Sequence, residues 1–201
     1  RTINMAVGFL IKEFTVELTT IQEIRPFVEE WHYSKNTNGL DSKYCFALKY
    51  EDKLIGAMIF GRIAMAGVWK KYVDKPEDII ELRRLCCIDD TPKNTESYFI
   101  GKCLRWLKKN TDIKKVISYA DMDFGHKGII YQATNFKLLG TTSKGKVIIH
   151  NGRRYHDKSI RTKYKGKLKP FAQRLVDALE SGEAYYKPTL GKYIYIYELK
   201  K

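Results

Sequence analysis

The sequence predicts a mixed α/β fold, in which one sheet carries flanking helices and a basic extension follows toward the C-terminus. Three observations predict it. Strand-like alternation and helix-like apolar stripes succeed one another in the rough order βα, ββ, βα, βα, β. A length of 201 residues with 44% hydrophobic content suits one domain with one core, and aromatic residues are plentiful. A net charge of +14 rises steeply in the last third of the chain. The expected organisation is a single domain over 1–201, with 144–169 as a basic nucleic-acid-binding segment inside it.

The elements follow in order. The stretch VGFLIKEFTVEL alternates like a strand, and Ile21, Ile24, Phe27, Val28 and Trp31 then recur at helical spacing. That helix is expected to start near Thr19 or Thr20 and to end before His32-Tyr33-Ser34. CFALKY and LIGAMIF read as a hairpin through Glu51-Asp52-Lys53. IIELRRLCCID reads as a strand, and simple alternation puts Glu81 and Arg84 on opposite faces. After the polar linker DDTPKNTE, Phe99, Cys103, Trp106 and Leu107 form a helical stripe. KKVISYAD is a strand, GIIYQATNF a short helix, and FKLLGTTS and KVIIHNG late strands. Pro170 and Gly182 bracket a helix over 170–181, and KYIYIYEL closes the chain as a strand.

Several function classes are disfavoured. No run approaches the roughly 20 apolar residues of a membrane span, and the N-terminal stretch has no signal-peptide cleavage pattern, so a cytoplasmic protein is expected. Cys45, Cys86, Cys87 and Cys103 show no CxxC spacing, which argues for buried, reduced thiols rather than structural zinc.

Two corners carry candidate chemistry. In the first, DDTPKNTES runs from a strand into a helix, whose start offers N–H groups and a positive dipole end to a pyrophosphate. Asn94, Thr95 and Ser97 are candidate caps there, and Lys93 and Lys102 add charge; an ordinary capped surface helix explains the same residues. The second corner, SYADMDFGHKGIIYQATNF, packs Asp121, Asp123, His126 and Tyr131 into a strand-to-helix turn. Asn135 stands where the helix must stop, and asparagine is the usual substitute for glycine in a left-handed stop.

The run Tyr131-Gln132-Ala133-Thr134-Asn135-Phe136 resembles the tyrosine-x-x-x-glycine-phenylalanine signature of GNAT acyltransferases, with asparagine for glycine. The family's pyrophosphate loop is replaced by Pro92-Lys93-Asn94-Thr95-Glu96-Ser97, with Gly101 inside the helix. HYS at 32–34, ELRRL at 81–85, SYFIGKCLR at 97–105, and SYAD with GHKGIIYQATNF together resemble the phage Mom family of GNAT-like DNA-modifying enzymes. The resemblance implies a GNAT-like central sheet and conversion of adenine in DNA to its N6-carbamoylmethyl form, protecting phage DNA from host restriction. It implies an acyl-coenzyme A such as acetyl-CoA, or a related donor. It makes Tyr131 the acid that reprotonates the leaving sulfur, and Asp121 or Asp123 the base that acts on or orients the adenine amine. His32 and Tyr33 become substrate contacts. Arg84, Leu85, Asn94, Ser97, Gly101 and Asn135 become cofactor contacts. A packed core tyrosine, a turn-stabilising aspartate and a structural histidine are the plainer readings of the same side chains. A two-histidine, one-carboxylate iron site from His32, His126 and Asp121 stays open.

From Lys144 to Lys169 ten lysines and arginines face Asp157 alone, with Tyr155 and Tyr164 interleaved. Arg153, Arg154, Arg161, Lys163, Lys165 and Lys167 are the expected contacts to double-stranded DNA. Reaching the amine of a paired adenine requires extruding the base, and Trp69, Tyr33 and Tyr119 are candidate stacking partners. The plainer reading of the run is a solvated, flexible loop. The alternatives for the whole chain are an acyltransferase acting on a small molecule, protein or tRNA, and a noncatalytic DNA-binding protein of the same fold. The oligomeric state is open, a homodimer included.

Overall fold

The structure, a computed structural model, describes residues 11–200; the start of the strand-like opening at 7–10 lies outside them. In chain order the elements are β1 (Thr15–Thr19), α1 (Ile21–Trp31), β2 (Tyr44–Tyr50), β3 (Lys53–Gly61), β4 (Ile79–Cys87), α2 (Thr95–Asn110), β5 (Lys115–Asp121), α3 (Ile129–Ala133), β6 (Lys137–Thr141), β7 (Lys146–His150), β8 (Arg153–His156), β9 (Lys163–Tyr164), β10 (Lys167–Leu168), α4 (Pro170–Ser181), β11 (Ala184–Pro188) and β12 (Lys192–Glu198). They group into two compact units. The first takes residues up to 120, 128–140 and 194 onward; the second takes 121–127 and 141–193.

The first unit is built on a seven-stranded sheet of order β1-β2-β3-β4-β5-β12-β6. Strands β1 to β4 are antiparallel neighbours and β5 joins β4 in parallel, so the sheet is mixed, as expected. Helix α1 starts where the sequence places it. The Thr20 side chain accepts from the Glu23 N–H and the Glu23 carboxylate reaches back to the Thr20 N–H, a full capping box. The β2–β3 turn is tighter than expected. Tyr50 pairs with Lys53, leaving Glu51 and Asp52 as a two-residue turn with φ of 47° and 61°, the mirror-image geometry that matches strand twist.

The two faces of this sheet bury different partners. On one, Ile24 and Val28 of α1 pack on Cys45, Ala47, Ala57, Ile59 and Cys86. On the other, Trp106 of α2 meets Phe46 edge-on at 5.3 Å, and Phe46 in turn meets Phe60. All four cysteines are free, and burial raises their thiol pKa values, to about 11 for Cys45 and about 12 for Cys86. Cys45, Cys86 and Cys103 are buried as the spacing predicts, whereas Cys87 is half-buried.

Strand β4 breaks the simple alternation. Phe60 faces Leu82 and Ile59 faces Arg84, so Arg83 is an extra residue, a β-bulge. Before the bulge Glu81 pairs with Gly61, and after it Arg84 and Cys86 pair with Ile59 and Ala57. Since 57, 59 and 61 share a face, so do Glu81, Arg84 and Cys86, the face that α1 covers. The expectation of opposite faces for Glu81 and Arg84 is therefore corrected: one inserted residue flips the parity.

The second unit has a three-stranded antiparallel sheet of order β11-β7-β8 and the two-stranded β9–β10 hairpin. Ile148 and Ala184 of the sheet pack against Leu175 and Ala178 of α4. Asn151 and Gly152 turn β7 into β8 with φ of 47° and 70°. The basic run, whose plainer reading was a flexible loop, is thus largely strand, turn and helix start. Strands β8 to β11 carry no distinct sequence signal and were not expected.

Candidate active site

In the first unit the site begins where two parallel strands part. Pairing between β4 and β5 runs from Ile79↔Lys115 to Leu82↔Ser118 and stops, although β4 continues to Cys87 and β5 to Asp121. The bulge at Arg83 sits at the parting and supplies a bend. The Ser118 hydroxyl donates to the Leu82 carbonyl at 3.3 Å, closing the base of the fork. Beyond it, the β5-facing edge of β4 around Leu85 has no strand partner among the described residues.

Arg84 stands at this fork. Its Nη1 donates to the Arg83 carbonyl (2.7 Å) and its Nη2 to the Asn36 carbonyl (3.3 Å), tying β4 to the loop after α1. Burial lowers the guanidinium pKa, opposed by the nearby Tyr33 phenol. Its Nε is buried with no hydrogen-bond partner among the described residues. An unpaired buried N–H costs about 1–3 kcal/mol, so it calls for an acceptor. His32 ends α1: its N–H donates to the Val28 carbonyl, and its Nδ1 accepts the Ser34 N–H at 3.1 Å. The ring lies 4.2 Å from that of Tyr33, which is exposed. His32 is thus held against Ser34 and Tyr33 of its own loop.

Tyr131 occupies the interior beside the fork, 8% exposed. Burial pushes its phenol pKa up to about 12, against a hydrogen bond with Ser118 that pulls it down. The signature that pointed to Tyr131 has a structural cause. The Phe136 N–H donates to the Tyr131 carbonyl (2.9 Å) and the Asn135 N–H to that of Gln132 (3.1 Å), while Asn135 takes φ of 64°. This is a Schellman stop. Its apolar contact is the pair Tyr131–Phe136, with ring centroids 5.4 Å apart. Asparagine substitutes for glycine because it tolerates that backbone. At the start of the same helix, a Cβ on Gly128 (φ 72°) would come within 2.2 Å of the Tyr195 ring, so only glycine lets α3 sit there.

The start of α2 differs from expectation. Asn94 takes φ of 73° and makes no side-chain cap. Thr95 and Ser97 donate their hydroxyls to the Pro92 (2.7 Å) and Asn94 (3.0 Å) carbonyls rather than accepting helix N–H groups. None of the three side chains caps the helix: the two hydroxyls serve the turn, and Asn94, although at the N-cap position, makes no side-chain cap hydrogen bond. Ser97, Gly101 and Asn135 do come together. With Arg105, Lys108 and Tyr197 they line a groove of about 250 Å³. A Cβ on Gly101 would meet nothing nearer than the Arg105 guanidinium at 3.5 Å.

In the second unit Asp121 and Asp123 have separate tasks. The buried Asp121 carboxylate accepts the Asp123 N–H (3.1 Å) and lies 3.9 Å from Arg154 and 3.8 Å from Lys192. Asp123 uses both oxygens: one takes the Leu190 N–H (2.8 Å), the other Arg154 (2.7 Å). Arg154, grouped by sequence with the DNA contacts, also lies 5.1 Å above the Phe124 ring. Arg153, Arg161, Lys163, Lys165 and Lys167 are exposed. Among the described residues no three His, Cys, Asp or Glu side chains are placed to hold a metal ion, so the two-histidine, one-carboxylate iron arrangement is not assembled. Of the stacking candidates, Trp69 and Tyr119 are half-buried, and burial, then Glu81, raises the Tyr119 pKa.

A mixed sheet that forks between two parallel strands, with a tyrosine-bearing helix stop beside the fork, is the fold of GNAT acetyltransferases. Solved structures agree. A Bacillus subtilis acetyltransferase in complex with CoA superposes with a TM-score of 0.53 at 12% identity, over 93% of this chain and 99% of that one. A spermidine/spermine N-acetyltransferase of Vibrio cholerae gives 0.53 at 8% identity, over 94% of each. Within that fold the chain belongs to the Mom protein family, which matches residues 13–201. It is 27% identical over 139 residues to the methylcarbamoylase Mom of Escherichia phage Mu, covering 67% of this chain and 57% of that protein's length. No described helix is long and apolar enough to cross a membrane.

Sequence reasoning missed the fork, the bulge, Ser118, Arg105 and Lys108. The fork and bulge leave no composition signal. Arg105 and Lys108 stand at i and i+3 on one helix stripe, and that spacing was available.

Proposed function

We propose that this chain is a GNAT-type transferase that modifies the exocyclic N6 amine of adenine in DNA, converting it to the carbamoylmethyl form and so shielding phage DNA from host restriction. The observation that carries the reading is family membership over 13–201, and the forked sheet with Tyr131 beside it supplies a place for the chemistry. The phage Mu relative, a methylcarbamoylase, supports the same product class.

The donor suited to the fork is an acyl-coenzyme A or a related donor; since N6 of the product bonds to a methylene carbon and not to a carbonyl, the unit it supplies when bound is one that carries that methylene and parts from its leaving group there. The residues present fit such a molecule. The unpaired edge of β4 around Leu85 can complete its ladder with the amides of an extended chain. The orphaned Arg84 Nε–H calls for a carbonyl acceptor. Arg105 and Lys108, in the groove with Ser97, Gly101 and Asn135, offer charge to phosphates. Tyr131, whose phenol keeps its proton to about pH 12, is the proton source for the departing group, and Ser118 orients it. Asp121 is the proposed base for the amine, with Arg154 3.9 Å and Lys192 3.8 Å from its carboxylate. Asp123, His32 and Tyr33 support from the turns that carry them. Double-stranded DNA is the proposed partner of the exposed cations in the second unit.

The test is nucleoside mass spectrometry on DNA from cells expressing the chain. Adenosine bearing the added mass of a carbamoylmethyl group is the expected result; unmodified DNA beside soluble, folded protein would overturn the reading.

A further inference from the structure

The second unit carries a device that the transfer reaction alone does not require. Between Lys158 and Val176 the chain has seven lysines and arginines and no aspartate or glutamate. In the middle, β9 and β10 form a hairpin in which Tyr164 pairs with Lys167 and Lys163 with Leu168. Lys165 and Gly166 make its two-residue turn, with φ of 48° and 79°, a rigid geometry matched to strand twist. The Lys169 N–H donates to the Thr162 carbonyl at 2.9 Å and closes the base of the hairpin.

Alternation gives this hairpin two unlike faces. Leu168, half-buried, shares one with Lys163, whereas Tyr164 and Lys167 share the other. Tyr164 is 66% exposed, the most exposed aromatic side chain among the described residues. Helix α4, which follows immediately, is anchored by Leu175 and Ala178 on Ile148. The Lys165 ammonium lies 5.5 Å from the Tyr164 ring centroid; apart from that cation the ring is held out in solvent on an anchored turn. With Lys165 beside it at the turn, Lys167 on its own face and Lys163 on the opposite one, it is matched to a polyanion that offers an apolar slot between two rows of phosphate.

The geometry points to this hairpin as a wedge for duplex DNA: Tyr164 enters the base stack where a nucleotide has been extruded, and the three lysines hold the flanking phosphates. An enzyme acting on a paired base has to leave such a gap, and inserted apolar side chains are a common way to stabilise it. The inference rests on the DNA reading above, adding to it the state of the duplex that the protein prefers and the side chain that selects it.

The experiment measures binding of the full chain to two duplexes of one sequence, one intact and one with a single abasic position, by fluorescence anisotropy across a salt series. The wild-type chain should prefer the abasic duplex by about tenfold, the scale of one stacked ring. Tyr164→Ala should abolish that preference while keeping intact-duplex affinity and its salt slope, and Tyr164→Phe should retain it. Equal wild-type affinity for both duplexes, or a preference that survives Tyr164→Ala, overturns the wedge and leaves the DNA reading standing. No duplex binding by folded protein at low salt overturns both.

Discussion

The two units treat polar groups in opposite ways. In the first, Glu81, Ser118, His32 and Tyr131 are drawn inside, each less than a tenth exposed, and a large apolar core holds them. The second has fourteen lysines and arginines against six aspartates and glutamates, nearly all of the cations at the surface. Only six of the 37 buried apolar side chains among the described residues belong to it. It displays Phe124, Tyr164, Phe171, Tyr185 and Tyr186 instead. One unit is organised to exclude water around a few polar atoms, and the other holds its cations and several rings out in water. The lesson is that positive charge is concentrated in the smaller second unit, which holds eight of the fourteen net charges, and says nothing of how the first buries its polar groups.

The largest effect is expected at Asp121. Asp121→Asn keeps an oxygen to accept the Asp123 N–H yet removes the charge that Lys192 and Arg154 face, so modification should fall on the order of 10²- to 10⁴-fold, the usual worth of a general base. Nucleoside mass spectrometry on DNA treated with folded variant checks it, and near-wild-type modification would remove Asp121 from the reaction. Next comes the thin core of the second unit. Leu175→Ala should cost about 2–5 kcal/mol and abolish DNA binding. Every cysteine lies in the first unit, so a thiol reagent reports on that unit alone. Thiols that stay protected in the variant would show two separable units, whereas immediate reactivity would show one cooperative fold and break the comparison.

Tyr131→Phe should slow turnover by about 10²-fold with donor affinity little changed, since only the phenolic proton is lost; an unaltered rate would return Tyr131 to a packing role. Replacing Lys163, Lys165 and Lys167 by glutamine should reduce the slope of log affinity against log salt by up to about 2.7, roughly 0.9 per released counterion. A gentler contrast lies in pH. Burial holds Cys45, Cys86 and Tyr131 protonated to about pH 11, 12 and 12, above their unfolded values near 9 to 10. Their contribution is complete below pH ~9 and is lost as pH rises toward 12. The melting temperature should therefore decline from pH 9 upward, with thiol reactivity appearing only as the first unit unfolds.

Much of the first unit was legible before its structure. Thr20 and Glu23 announce α1 through a capping box, and Asn135 before Phe136 announces the stop of α3, because both are local hydrogen-bond patterns written in adjacent residues. The parting of β4 from β5 was not, since it depends on where a nonlocal ladder ends. Nor was the failure of Asn94, Thr95 and Ser97 to cap α2. Their residue types suit a cap, but the backbone at Asn94 is left-handed and turns its side chain to no such use. In the second unit the cations were plain and their strands were not, because β8 to β11 are short, polar and held by cross-strand pairing.

The bulge at Arg83 has a consequence for how the chain can vary. The extra residue is slack in the strand. With Arg83 taken out, Leu82 on Phe60 and Arg84 on Ile59 would be consecutive pairs, so Arg84 and Cys86 would keep the face that α1 covers and plain alternation would return. What would be lost is the bend at the parting from β5: at this one position the strand can change length without turning a side chain over, and the change would be felt at the fork instead of in the core.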